Sequence, residues 1–236
     1  MNTAQIENEI QGKSIEEALL YFTALYPGQV AFSSSLGQED QVLTDIIFRN
    51  NLPVPVFTID TGRLFNEVYE LIQTTELQYG KRIEIVFPPA EPVEELVKAN
   101  GINCFYDSVE LRKQCCYVRK VLPLKKALQN VKVWVTGLRA AQSENRTTLS
   151  PVSWDDNYKV IKFNPLTDWT FEQVNEYLDI KNVPFNPLHR KGFVSIGCAP
   201  CTRAISEGED IRAGRWWWET SKKECGLHEQ PINFQI

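Results

Sequence analysis

Cysteine is the residue type through which this chain can do most of its chemistry. Six cysteines stand at positions 104, 115, 116, 198, 201 and 225, against only two histidines, His189 and His228, which leaves little room for a histidine-rich metal site. Cys115 and Cys116 are neighbours in LRKQCCYVRKVLPLKKAL, a stretch with helical character, and Cys198-Ala-Pro-Cys201 falls in a Pro/Gly-rich loop region far along the chain. A tetrahedral zinc site usually draws its thiolates from knuckles with about two to four intervening residues, whereas adjacent cysteines project in different directions and suit a larger object with several metal corners. Iron–sulfur clusters are held by thiolates, and Arg119, Lys120 and Arg203 would offset their negative charge. On spacing alone a cluster, a zinc ion and redox-active or disulfide-bonded thiol pairs all stay open. Cys225 stands apart from both pairs, with Lys222, Lys223 and His228 nearby to favour a thiolate and Glu224 acting the other way. Cys104 fits none of these groupings and reads as a small buried hydrophobe.

A second set of residues could hold a phosphate. In a parallel sheet, ligands bind beyond the carboxyl ends of strands, where helix amino termini face an anion. SSSLGQED occupies such a place: Ser33, Ser34 and Ser35 offer hydroxyls, Gly37 permits close backbone approach, and a helix starting near Gln38 directs its positive end at the loop. The Lys-Ser/Thr ending of a Walker loop is missing. TIDTG ends the next strand with Asp60, Thr61 and Gly62, a setting for ribose and adenine, and Arg139 lies at a later strand end. Each segment also has a plainer reading, the serines as helix caps and DTG as a turn.

The elements that must position these residues alternate between strand and helix. GQVAFSSS (28–35) is a strand into a loop, and residues 39–50 follow as a helix with Val42, Leu43, Ile46 and Ile47 on one face. Residues 54–60 form a second buried strand, and the helix after it shares Leu64, Val68, Leu71 and Ile72 on one face. Strands at 81–87 and 131–137 follow, with a short helix after Pro88 and Pro89 and Pro92 near its first turn. DDNYKVIKFNPL gives one more strand and TFEQVNEYLDIK one more helix; beyond about residue 184 the periodicity ends. The pattern predicts an α/β fold with a Rossmann-like, mostly parallel sheet flanked by helices. Residues 1–183 form a nucleotide-binding domain that includes the first cysteine pair, and residues 184–236 an irregular C-terminal catalytic tail with the second pair.

Composition is that of an ordinary globular protein, with 43% hydrophobic and 23% charged residues. A net charge of -5 argues against duplex nucleic acid held on a general basic surface. The acidic, amphipathic N-terminal stretch does not resemble a secretory signal, and there is no apolar run long enough to cross a bilayer. A cytoplasmic location is expected, and in that compartment clustered cysteines bind metal or do catalysis.

QCCYVRKVLPLKKAL, GCAPCTRAISEGEDIRAGRWWWE and KKECGLH resemble three motifs of the bacterial cluster-containing adenylyl-sulfate reductases. SSSLGQED, FTIDTGRL, GLRAAQSENR, FNPLTDWT and NPLHRKGFVSIGC are similar to that family in the same order, so the resemblance covers nearly the whole chain. The related phosphoadenylyl-sulfate reductases share ECGLH but lack both cysteine pairs. The chain departs from the pattern at Phe65, where many relatives have His, and at Ala140-Ala141, where a charged pair is common.

The resemblance implies an adenine nucleotide alpha hydrolase-like fold and one 4Fe–4S cluster per chain on Cys115, Cys116, Cys198 and Cys201. It implies that the Cys225 thiolate attacks the sulfur of adenylyl sulfate, expels AMP and leaves an S-sulfo-cysteine, from which thioredoxin or a glutaredoxin-like thiol donor releases sulfite. The setting is sulfate assimilation and cysteine biosynthesis. Lys120, Arg212, Arg215 and His228 match the positions that gather around the sulfate; composition alone would make the two arginines solvated surface charges. Nucleotide contacts fall on Ser33, Ser34, Ser35, Gly37, Glu39, Asp60, Thr61, Gly62 and, less directly, Arg139. Trp216, Trp217 and Trp218 would shield the site, fill a core or meet another subunit. A homo-oligomer is expected. Two rivals stand beside this reading. One is a reductase of the 3′-phosphorylated nucleotide or of both nucleotides; the other is a non-enzymatic zinc- or redox-sensing nucleotide binder. A tRNA-thiolating enzyme is disfavoured because its SGGxDS-like loop is missing.

Overall fold

A computed structural model of the chain describes residues 3–142 and 149–219. Two N-terminal helices, α1 (Thr3–Ile10) and α2 (Ile15–Leu25), precede the first strand. Ser14 and Glu17 close a capping box at the start of α2: the Glu17 N–H donates to Ser14 Oγ at 3.1 Å, and the Ser14 N–H donates to the Glu17 carboxylate at 2.7 Å. Six strands then form one sheet in the order β3-β2-β1-β4-β6-β5: β1 (Val30–Ser33), β2 (Val56–Ile59), β3 (Glu84–Val86), β4 (Val133–Val135), β5 (Val152–Asp155) and β6 (Val160–Phe163). β1 pairs in parallel with β2 and β4, and β4 with β6; β5 runs antiparallel to β6.

β4 and β6 are buried along their whole length, as expected of strands covered on both faces. The helices between strands are α3 (Gln38–Arg49), α4 (Asn66–Tyr79) and α5 (Ala90–Asn100), with α8 (Phe171–Lys181) after the last strand. The expected α/β fold is observed. The differences are local. One strand was expected around residues 155–166, but β5 and β6 form a hairpin there, and Leu64 lies before α4, which instead buries Thr75 beside Val68 and Leu71.

The cysteine-bearing helix is also more than a regular α-helix. It runs as α6 (Val109–Cys116), a π turn over Tyr117–Val121, and α7 (Leu122–Ala127). In the π turn the Leu122 N–H reaches back to the Tyr117 carbonyl, five residues away. Pro123, which has no N–H to give, follows directly. After α8, the described chain holds only short 3₁₀ turns at Pro187–Lys191 and Ala199–Cys201 and a single bridge between Thr202 and Arg215.

Two compact units emerge from the internal contacts. The first gathers Met1–Thr58, Asn66–Glu84 and Leu128–Pro187; the second gathers Ile59–Phe65, Ile85–Ala127 and Leu188–Ile236. Both cysteine pairs therefore lie in the same unit, although a division at residue 183 places them apart. Chain order cannot reveal this grouping, because the second unit is assembled from separated segments.

Candidate active site

In the first unit the loop after β1 carries the three serines, which do different work. Ser33 Oγ accepts from the Trp134 indole at 2.8 Å and Ser34 Oγ accepts from the Leu36 N–H at 3.1 Å, so each hydroxyl keeps its own proton to donate. Ser35 is committed: its N–H and hydroxyl both donate to Asp40 Oδ2, at 2.5 and 2.6 Å. Leu36 bends the loop through φ 61°, a conformation that costs a branched side chain energy. Gly37 leaves the start of α3 without a side-chain cap. Asp40 also takes a backbone bond from Gly137, and a Cβ at Gly137 would overlap its carboxylate, so the ends of β1 and β4 are joined at a position only glycine fits. Burial pushes the Asp40 carboxyl up to about 6, while the bonds from Ser35 pull the other way.

Glu39 and Arg139, both expected at the nucleotide, bind each other at 2.9 Å with little exposure on either side. Arg139 also donates to the Trp169 carbonyl at 3.2 Å. Phosphate binding by this guanidinium would have to compete with Glu39.

In the second unit Cys115, Cys116, Cys198 and Cys201 line one cavity. Its wall also contains Arg63, Arg112, Arg119, Lys120, Phe105, Pro200 and Trp216. The helix with the π turn supplies Arg112, both adjacent cysteines, Arg119 and Lys120, while the 3₁₀ turn at Ala199–Cys201 presents the other pair. The Asp60–Arg63 loop closes against them. Gly62, at φ 69°, lets Asp60 accept the Gly62 N–H at 2.7 Å; Thr61 Oγ1 lies 3.2 Å from Cys198 Sγ, and the Thr61 carbonyl accepts from Arg119 at 2.8 Å. Arg63 is fixed by Asn103 and the Ile102 carbonyl, and its own carbonyl accepts the Ala199 N–H at 2.8 Å. Asp60, Thr61 and Gly62 thus belong with the cysteine cavity, whereas the serines and Arg139 belong to the other unit.

Burial raises the Cys201 thiol to about 12, with Cys198 adding to the rise and Lys120 and Arg215 opposing it. Cys115 is likewise raised by burial, with Arg119 opposing. Unbound, Cys115 and Cys201 hold their protons more tightly than ordinary thiols do, and an electropositive metal group would favour their thiolates. Among the described residues no three His, Cys, Asp or Glu side chains converge closely enough to hold a single metal ion. The thiols instead surround a space.

A sequence profile described as the phosphoadenosine phosphosulfate reductase domain matches residues 29–204. The chain belongs to this reductase family. Its relatives include an adenosine 5′-phosphosulfate reductase of Allochromatium vinosum, 52% identical over 204 residues that cover 86% of this chain and 80% of that one. Among solved structures, a phosphoadenylyl-sulfate reductase from Candida auris in a phosphate complex superposes with a TM-score of 0.71 at 25% identity, covering 87% of this chain and 98% of the other. A yeast FAD synthetase shares the fold alone, with a TM-score of 0.54 at 18% identity and coverage of 86% and 70%.

For this reductase the sequence motifs located the cysteines, Lys120 and Arg119 but not the rest of the cavity wall. Arg63, Arg112 and Phe105 were missed: Arg63 and Arg112 stand beside the DTG and Cys-Cys motifs without a signature of their own, and only the fold turns them and Phe105 into the wall. Arg203, expected to balance cluster charge, is held by Glu209 at 2.8 and 2.9 Å. Arg215 is buried, its guanidinium 4.6 Å from the centre of the Trp216 ring, and a Cβ at Gly197 would strike it. Arg212 is half-buried in the turn before it, its N–H on Asp210 at 2.8 Å. Of the three tryptophans, Trp216 is fully buried in the cavity wall, Trp217 is exposed, and Trp218 packs on Tyr106 at 4.5 Å. Cys104 is buried with Leu96 and Val118, as a small hydrophobe would be. Cys225 and His228 lie outside the described residues.

Proposed function

We propose that the chain reduces adenylyl sulfate to sulfite and AMP in sulfate assimilation. The observation that carries this reading is the meeting of Cys115, Cys116, Cys198 and Cys201 with Lys120 in one cavity of a protein whose relatives are named adenosine 5′-phosphosulfate reductases. The donor set fits a 4Fe–4S cluster, one per chain: four thiols line one cavity, with cationic side chains in its wall. Cys115, Cys116, Cys198 and Cys201 would hold it. When bound, it would supply a fixed charge that helps to tune and position the sulfate site, without passing electrons.

The chain's own residues do the rest. Ser33, Ser34 and Gly37, at the amino end of α3, receive the nucleotide phosphate, with Ser35 positioned by Asp40. Lys120, Arg212, Arg215 and His228 balance charge on the sulfate as it leaves the nucleotide. Cys225 is the nucleophile. Its thiolate forms a bond to the sulfate sulfur, the bond between that sulfur and the bridging oxygen breaks, and AMP departs with the electron pair. A thioredoxin thiolate then attacks the Cys225 sulfur and sulfite leaves; the second thioredoxin thiol restores the Cys225 thiol and ends as a disulfide. Cytoplasm, a homo-oligomer and a thioredoxin-type donor complete the reading.

The test is an anaerobic assay of adenylyl sulfate with thioredoxin, with mass spectrometry of the Cys225 peptide when thioredoxin is withheld. Cys225→Ser should lose sulfite production while keeping its iron and its nucleotide affinity. Near-normal turnover in that variant rejects the nucleophile.

A further inference from the structure

Glu219 makes a buried, two-pronged ion pair with Arg112: Nε and Nη2 donate to the two carboxylate oxygens at 2.8 and 2.9 Å, and the side chains are 1% and 2% exposed. Arg112 stands four residues before Cys116 on α6, which returns it to the same helical face, and its guanidinium also hydrogen-bonds Cys116. The same guanidinium lies 4.7 Å from the centre of the Trp216 ring. Trp216 itself is fully buried at φ 42°, a strained conformation for an aromatic residue, and its N–H donates to the Cys201 carbonyl at 3.2 Å.

A buried ion pair is weak evidence for stability, because removing two charges from water offsets most of their attraction. Its distinctive property is geometric: the planar guanidinium accepts a carboxylate in one register and orientation. Here that register fixes where the chain stands after Trp216, and Cys225 follows Glu219 by six residues in sequence.

We infer that Arg112 and Glu219 are positioning residues for the nucleophile: the pair anchors the start of the Cys225-bearing segment to the helix that carries Cys115 and Cys116. This inference rests on the assignment of Cys225 as nucleophile. Arg112 thereby serves two partners, the wall of the thiol cavity and the root of the segment that reacts. Loss of the fork should leave nucleotide binding intact and slow the sulfur transfer.

The measurement is a single turnover without thioredoxin. Wild type, Glu219→Gln and the double variant Arg112→Gln with Glu219→Gln, each prepared anaerobically with iron and sulfide, are mixed with adenylyl sulfate. S-sulfonation of the Cys225 peptide is followed by mass spectrometry, and AMP affinity, iron per chain and visible absorption are measured on the same samples. Glu219→Gln is expected to sulfonate about 10- to 100-fold more slowly, with AMP affinity and iron content within about twofold of wild type. The double variant leaves no buried charge unpaired, so a merely structural pair predicts recovery of the rate, and a positioning pair predicts that it stays slow. Sulfonation within about twofold of wild type in Glu219→Gln, recovery in the double variant, or loss of iron from both variants overturns the inference. A Cys225 peptide that stays unmodified in the wild type sinks the nucleophile assignment instead, so the two failures are distinguishable.

Discussion

Asp40 is a buried carboxylate in the first unit whose ionisation bears on stability. Burial raises its carboxyl from the ordinary 3.8 to about 6, against the Ser35 and Gly137 bonds that favour the charged form. The folded protein therefore holds the Asp40 proton more tightly than the unfolded chain does. This contribution to stability is fully present below the unfolded value and is lost as the pH rises through about 6. Its size is at most about 3 kcal/mol. Asp40→Asn should remove that slope, so that the melting temperature of the wild type falls relative to the variant between about pH 4 and pH 8. Parallel melting curves across that range would assign the titration elsewhere. Asp45 is buried too, yet its carboxyl is held below its ordinary value: burial works against ionisation, but bonds from Arg49, Tyr79 and Tyr177 outweigh it. Ser33, Ser34 and Ser35 were readable as a hydroxyl-rich loop before a helix. That Ser35 is tied to Asp40 was not, because the arrangement depends on Gly137 arriving from another strand.

Among the connecting elements, the Asp60–Arg63 loop and the π turn do most to shape the thiol cavity, and neither has a strong sequence signature. DTG reads equally well as a nucleotide contact or a turn; in the fold it bonds to Arg119 and lies against Cys198. Gly62→Ala is expected to cost about 1–2 kcal/mol, because an added Cβ must adopt φ 69° and meets the Arg119 guanidinium at 3.4 Å. Gly12→Ala imposes similar strain at φ 76° with no atom within 4 Å of the new Cβ. Both variants should melt at lower temperature, and only Gly62→Ala should lower the iron bound per chain, measured by visible absorption and metal analysis. Equal loss of iron in both would show that the loop has no particular hold on the cavity. The regular strands and helices were legible because burial on both faces makes β4 a continuous apolar run, leaves β6 apolar apart from Lys162, and gives α3 a clear apolar stripe. β5 was missed because only Val152 of its residues is buried. The π turn was missed because an extra residue in a helical turn leaves no periodicity to detect, Pro123 being its one local trace.

For the protein as an assembly of two units, substrate choice separates the sulfate nucleotide from its 3′-phosphorylated form. The matching profile takes its description from the phosphorylated nucleotide, and so does the Candida auris structure at 25% identity. The relative at 52% identity is named for the unphosphorylated one. A 3′-phosphate adds close to two negative charges, which must find cationic partners or remain in water. Arg139, the guanidinium just after β4, is already bonded to Glu39, so releasing it for a second phosphate would leave a largely buried carboxylate unpaired. The expected outcome is a kcat/KM for adenylyl sulfate higher by about 100-fold, equivalent to about 2.7 kcal/mol of transition-state binding. Steady-state assays of both nucleotides on one anaerobic preparation, with thioredoxin in excess, measure that ratio. A ratio inverted in favour of the phosphorylated nucleotide would mean that Glu39 yields Arg139 to the ligand, which Glu39→Gln would then make easier, strengthening binding of that nucleotide. If the ratio favours adenylyl sulfate, the same substitution should narrow it, because the guanidinium becomes free to meet the extra phosphate.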